Sequence, residues 1–398
     1  MSLNEEQQSM VWNTSSPLRS AETAYAPSAF VAVGASIDQY DPWLEIDTNN
    51  LAWNLAQVRA KIGDTAIMAV VKCNAYGHGT LGIAKVLAGH GVQHYGVVKV
   101  QEALALRQHG IQGMVLNFGP FSASEAESLV VHDISQSVFS ESIEMLSQAA
   151  IKHNTVAKVH IKVDTGLSRV GIPYTQALDY IEKVASLPNI RIEGIFTTLA
   201  EAGEFDLVQI ERLKQVCNAA ERKRIGLGIK HAGSSNAVIH YPAAYLDMLR
   251  PGNILYGFDP QPGMHLKPVM SLKTRVIMVK TIHPGDSIAY HRRYTADKDM
   301  LLATLPLGYA DGYPFQAVNR GQVLIHGQRW PLIVYMSANH VTVDITGSDG
   351  IGVGDEVVVF GTQGAETISI AELAEWAESS VYKIATGMSP FLPRVFVE

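Results

Sequence analysis

The sequence predicts an α/β fold, a TIM-like (β/α)₈ barrel followed by a C-terminal all-β domain. Three observations carry the prediction. From Ala66 to Leu255, eight apolar strand-like runs alternate with amphipathic helical stretches, the rhythm of a parallel sheet with helical crossovers. Beyond about Lys273 the runs come closely spaced between turn residues, the pattern of an all-β module. The first apolar run, 66–71, stops at Lys72 and gives way at once to Asn, Tyr, Gly and His, as a buried strand does where it ends in a loop.

Taken in order, residues 1–42 are rich in Ser, Ala, Asn and Gln with scattered Pro. They read as an extension, either a disordered tail or an arm lying on a partner subunit. Trp43-Leu44-Glu45-Ile46-Asp47 mixes apolar and acidic residues as a half-buried strand does, and 47–50 offers N-cap chemistry for a helix through Leu51, Leu55 and Val58. The eight barrel strands are expected at 66–72, 95–98, 113–118, 134–139, 157–163, 190–197, 229–232 and 248–255. Helical patterns lie between them, for example around Leu104-Ala105-Leu106 and over 209–225. Eight repeats argue for closure into a barrel; an open doubly wound sheet is the alternative. No G-x-G-x-x-G follows the first strand, which weakens a dinucleotide-binding reading. Strands expected over 274–282, 301–305, 321–326, 332–336, 341–345 and 356–360 build the second module, with a short helix over 369–378 and a last strand near 392–397. The turn-rich Pro260-Gln261-Pro262-Gly263 sets the boundary by about residue 270, giving an extension (1–42), a barrel (43–270) and a β-domain (271–398).

At 398 residues, with 47% hydrophobic and 17% charged residues, the chain suits two well-cored domains. The net charge of −7 and the lack of a basic stripe argue against a nucleic-acid partner. No run of eighteen apolar residues occurs, so no membrane span is expected. Two cysteines, Cys73 and Cys217, are too few for a disulfide framework; two free thiols in a reducing compartment is the simpler reading, one bridge the other. The first ten residues carry Glu5 and Glu6 and no basic residue, unlike the start of a signal peptide. A cytoplasmic protein is expected, with a processed periplasmic form left open. No metal site is expected.

The chemistry gathers around Lys72. At the C-terminal end of a barrel strand, a lysine faces the region where such barrels place their active sites. Desolvation there lowers its pKa toward that of a useful base or imine former. The full string Ala69-Val70-Val71-Lys72-Cys73-Asn74-Ala75-Tyr76-Gly77-His78-Gly79 resembles the cofactor-lysine motif of alanine racemases, a family of pyridoxal-phosphate enzymes with this barrel and a β-domain. Further segments follow in the family's order, and the resemblance runs from about Trp43 to the end.

The resemblance implies pyridoxal 5'-phosphate as cofactor, a small amino acid as substrate, and a homodimer whose sites are completed across the interface. Lys72 is then one catalytic base. The second, for the opposite face of the substrate, is a tyrosine that matches Tyr290 in Ala289-Tyr290-His291-Arg292-Arg293-Tyr294, with Arg292 and Arg293 placed to lower its phenol pKa. In Lys162-Val163-Asp164-Thr165-Gly166-Leu167-Ser168-Arg169, Arg169 matches the arginine that holds the substrate carboxylate and the cofactor's phenolic oxygen. Lys162 matches a lysine that is carbamylated in some members; an ion pair with Asp164 is the structural alternative. In Leu249-Arg250-Pro251-Gly252-Asn253, Arg250 matches the donor to the pyridine nitrogen, while Gly252 and Asn253 adjoin the phosphate. Tyr76 and Ser235 match phosphate hydroxyls, with Ser234 beside them. Tyr309, in Gly308-Tyr309-Ala310-Asp311-Gly312, matches an entry-gate residue.

Four positions depart from the family pattern. Thr198 stands where a ring-stacking histidine is usual, and Ser234 where an asparagine is. Ala338-Asn339 replaces a Met-Asp pair at the substrate carboxylate, and Pro390 stands where a tyrosine precedes the closing Pro-Arg. Lost volume at Ala338 and Pro390 points to amino acids larger than alanine, serine or basic ones among them. Two other readings use the same scaffold: retro-aldol or decarboxylase chemistry, and a non-catalytic cofactor-binding protein.

Overall fold

The computed structural model describes residues 41–258 and 263–398, together with the backbone of Phe30–Val31. The rest of the predicted extension, and most of the turn string at 260–263, lie outside the described residues. Eight parallel strands form the barrel: β1 (Ala66–Val70), β2 (His94–Val97), β3 (Met114–Asn117), β4 (Ser135–Val138), β5 (Ala157–Asp164), β6 (Ile190–Phe196), β7 (Ile229–His231) and β8 (Met248–Leu249). They pair in sequence order, and β8 returns to β1. A single parallel bridge between Ser234 and Arg250, just beyond β7 and β8, closes the circle. Helices such as Thr80–Gly89, Val100–Gln108 and Glu204–Arg222 form the crossovers.

The strands end a residue or two from their predicted limits, with one larger difference. The run 248–255 is a strand only to Leu249. Pro251 has no N–H for a ladder; its carbonyl accepts from Val70 N–H at 2.9 Å, and the chain turns into the helical segment Asn253–Tyr256.

The second sheet is the predicted β-module with an addition. Trp43–Asp47 pairs antiparallel with Met270–Arg275 and parallel with Arg394–Val397. The backbone of Phe30–Val31 pairs with Arg394 and Val395 on the far side. Described segments that precede the barrel and the last strand of the chain therefore share the sheet of the C-terminal module. The predicted cap forms: Asp47 Oδ1 accepts from Asn50 N–H at 2.7 Å, and the helix Thr48–Ile62 runs on to the barrel. Ser369 likewise caps the helix Ile370–Trp376. A second helix, Val381–Gly387, has no counterpart in the sequence reading.

Candidate active site

Lys72 does not extend β1. The next four residues, Cys73, Asn74, Ala75 and Tyr76, have φ of 55, 56, 51 and 51°, a left-handed turn built without glycine. Each such residue costs about 1–2 kcal/mol, so the turn persists because its surroundings over-determine it. The Glu102 carboxylate accepts from the N–H groups of Asn74, Val98 and Lys99 at 3.3, 3.2 and 3.2 Å. Asn74 Oδ1 accepts from Thr80 N–H at 3.1 Å, and the Thr80 hydroxyl donates to the Val71 carbonyl at 3.1 Å. Gly77, at φ 91°, ends the turn, and a Cβ there would stand 2.0 Å from the Ala385 carbonyl oxygen. The buried Arg394 donates Nε–H to the Gly77 carbonyl at 3.1 Å. The turn that carries the lysine is thus clamped by the barrel and by the last helix and strand of the chain.

Beyond the strand ends lies a cavity of about 580 Å³. It brings together every barrel residue the sequence singled out for cofactor or substrate: Lys72, Tyr76, Arg169, Thr198, Ser234, Ser235, Arg250, Gly252 and Asn253. Lys162 joins them, with Arg169 and Arg250 in the same cavity wall. Burial, reinforced by Arg250 and Arg169, pushes its ammonium down to about 8. The Asp164 ion pair does not form; its Oδ1 accepts from the N–H groups of Gly166, Leu167 and Ser168 at 2.9, 3.0 and 3.1 Å.

Arg250 is held by a buried relay. Nη2 donates to the carbonyls of Thr197 and Ala232 at 2.7 and 2.9 Å, and Nη1 donates to His231 Nδ1 at 2.8 Å. That donor sets the tautomers. His231 accepts on Nδ1, so its proton is on Nε2, which donates to His160 Nδ1 at 2.9 Å. His160 Nε2 then faces the Glu193 carboxylate, 3.8 Å away. Burial lowers the pKa of both histidines, so the relay is neutral between its charged ends. Two guanidinium hydrogens, one on Nη1 and the Nε–H, have no protein acceptor among the described residues. The histidines were not singled out from sequence; nothing in the spacing of residues 160, 231 and 250 reveals that three strands bring them together.

Three more cavity residues went unread. Phe196 lies under Lys162 and Arg250, its ring centroid 5.3 Å from each charged group. Glu201 lines the cavity edge. Tyr382, on the helix Val381–Gly387, reaches in with its hydroxyl 2.5 Å from Asn253 Nδ2. Pro390, which the sequence reading noted in place of the family's tyrosine, does not line the cavity, and Tyr382 does.

The β-domain candidates are elsewhere. Tyr290, Tyr309, Ala338 and Asn339 do not line the Lys72 cavity. Tyr290 is 67% exposed, in a short turn after the strand Ser287–Ile288, its ring edge-on to Tyr335. Arg293 lies over Tyr335 rather than Tyr290, and Arg292 donates to the Gly285 carbonyl, so neither is committed to tuning the Tyr290 phenol. Tyr309 is exposed and Ala338 packs beside it: Tyr309 N–H donates to the Ser337 carbonyl at 3.3 Å, and Ala310 N–H to the Ala338 carbonyl at 3.0 Å. The barrel candidates and the β-domain candidates therefore lie in two separate places on the chain.

Residues 46–260 match the alanine racemase N-terminal domain, and residues 269–396 the alanine racemase C-terminal domain. The chain belongs to the alanine racemase family. It is 39% identical to the alanine racemase of Halothermothrix orenii over 89% of this chain and 96% of that one, and 36% identical to that of Methanococcus maripaludis over 89% and 98%. Among solved structures, the alanine racemase of Clostridium difficile 630 superposes with a TM-score of 0.85 at 30% identity, covering 91% of this chain and 96% of that one. A histidine racemase from Leuconostoc mesenteroides shares the fold, with a TM-score of 0.79 at 24% identity over 91% of this chain and all of that one. This chain is an amino-acid racemase, and its relatives do not favour retro-aldol or decarboxylase chemistry.

Proposed function

We propose that the protein holds pyridoxal 5'-phosphate on Lys72 and interconverts L- and D-amino acids by a two-base mechanism. In it, Lys72 Nζ serves one face of the α-carbon, and Tyr290 Oη of a second copy serves the other. The observation that carries this reading is the pair of half-sites: a cavity with an amine and a cationic wall, and a separate exposed tyrosine patch on the β-domain.

The cavity residues fit the cofactor. The unaccepted Arg250 N–H groups suit an unprotonated ring nitrogen. Gly252 leaves a cradle, since a Cβ there would meet the Tyr76 hydroxyl at 3.0 Å. Gly252 N–H donates to Ser235 Oγ at 2.9 Å, which leaves the Ser235 hydroxyl hydrogen for a phosphate oxygen beside Tyr76, Asn253 and Tyr382.

When bound, pyridoxal phosphate acidifies the α-hydrogen of the amino acid attached to it. The chain supplies the rest. Arg169 holds the substrate carboxylate by a charge-assisted, bidentate contact. Lys72 Nζ takes or returns a proton on its face, and Tyr290 Oη does so on the other. Arg250 offers the ring nitrogen a hydrogen bond while its relay, neutral up to Glu193, keeps a carboxylate away from it. Thr198, with no ring to stack, bounds the cavity with a hydroxyl. The substrate range is alanine or a wider set that includes serine or basic amino acids, and the working form is a homodimer.

Borohydride reduction of the cofactor-loaded protein should fix the cofactor on the Lys72 peptide, and chiral chromatography of single-enantiomer amino acids should show racemisation. Attachment to another lysine would reject the site. Turnover without racemisation would reject the reaction.

A further inference from the structure

We propose that Glu201 is a specificity-determining residue that receives the cationic end of a basic amino-acid side chain. The proposal rests on the racemase reading above and extends it to the substrate's side chain. Four cations line the cavity: Lys72, Lys162, Arg169 and Arg250. Their sign suits a phosphate, a phenolate and a substrate carboxylate, the anionic parts of what the cavity would hold. Glu201 is the one carboxylate among the described lining residues, and it is the wrong sign for all three. Among the described residues it makes no ion pair. Glu201 is exposed to solvent, so a ligand can reach it; of the parts of an α-amino acid bound here, a basic side chain is the one that brings it a spare cation.

The position is built. Glu201 sits in the loop between β6 and the helix Glu204–Arg222, at φ 60°, a backbone region that costs a non-glycine residue energy. The loop is tied on both sides of it to that helix: Ala200 N–H donates to Gln209 Oε1 at 2.7 Å, and Ala202 N–H to Asp206 Oδ1 at 3.1 Å. Both acceptors are buried. Ser234, from the neighbouring loop after β7, donates its hydroxyl to Glu201 Oε1 at 3.0 Å and orients the carboxylate. Thr198 and Asn236 line the same cavity, so the side chain of a substrate would have further polar groups within it.

The test compares lysine with norleucine, which has the same length and no charge, in the cofactor-loaded wild type and in Glu201→Gln. Racemisation gives kcat/KM for each, and the change in cofactor absorbance on ligand addition gives each Kd. Wild type should favour lysine by about tenfold, as a partly exposed charge-assisted contact allows. Glu201→Gln should bring the ratio near one, through KM and Kd rather than kcat. An unchanged lysine-to-norleucine ratio in Glu201→Gln overturns the proposal. So does an equal loss for both ligands accompanied by dimer dissociation, which would make Glu201 a partner to a cation of the other subunit. If no amino acid is racemised, the functional reading fails by itself, and the Kd ratio still decides whether Glu201 selects a cation.

Discussion

Mixing two inactivated variants tests whether the Lys72 cavity and the Tyr290 patch combine across a dimer. Lys72→Ala removes the amine from the cavity, and Tyr290→Phe removes the hydroxyl from the exposed patch; each should lower activity by at least about 100-fold as lost acid–base groups. Tyr290 is two-thirds exposed and absent from the cavity wall of its own subunit, so a two-fold dimer would pair each cavity with the other copy's tyrosine. In an equal mixture with free exchange, half of the dimers are mixed. In a mixed dimer the Tyr290→Phe subunit keeps its Lys72 and meets an intact Tyr290 from the Lys72→Ala subunit, while the other site lacks both groups. One site in two, in half of the dimers, gives about a quarter of wild-type activity. The assay is racemisation after the mixture is incubated with mild denaturant and refolded, with subunit exchange verified by native mass spectrometry of tagged chains. Exchange without recovered activity would refute the shared site, as would full activity in a monomer.

Three further outcomes follow from the geometry. Lys162 is held at about 8 against an ordinary 10.5, so between these values the unfolded chain binds more protons than the folded one; stability should rise across that window by up to about 3 kcal/mol, and urea unfolding should show the rise vanish in Lys162→Met. Tyr382→Phe deletes the hydroxyl beside Asn253 and should weaken pyridoxal-phosphate binding by about tenfold, near 1.4 kcal/mol, read by fluorescence titration of the cofactor-free protein. Gly77→Ala places a methyl against the Ala385 carbonyl at a positive φ and should cost about 3 kcal/mol or more, measured by chemical unfolding; a change below about 0.5 kcal/mol would mean the clamp on the Lys72 turn is soft.

The sequence by itself determined the alternation that makes a barrel, the crowded strands of the second module, and the motif strings whose residues line one cavity. Those depend on local pattern: apolar periodicity for the strands, and short contiguous strings around Lys72, Arg169, Ser235 and Arg250 whose residues stay neighbours however the chain folds. What tertiary structure decided lies between distant segments. Nothing in Cys73 or Ala75 favours a left-handed backbone; Glu102, Thr80 and Arg394 impose it. The strand pattern of Trp43–Asp47 was legible, but its place between Met270–Arg275 and Arg394–Val397 was not, because a strand's pattern reports which face is buried and not which edge it joins. The same limit hid the Arg250–His231–His160 relay, which exists only because barrel closure brings β5, β7 and the end of β8 together around β6. It also hid Tyr382, which packing of the helix Val381–Gly387 against the Lys72 turn delivers to the cavity. The separation of Tyr290, Tyr309, Ala338 and Asn339 from the Lys72 cavity is likewise a tertiary result, since a motif names a residue's chemistry but not where the fold will put it.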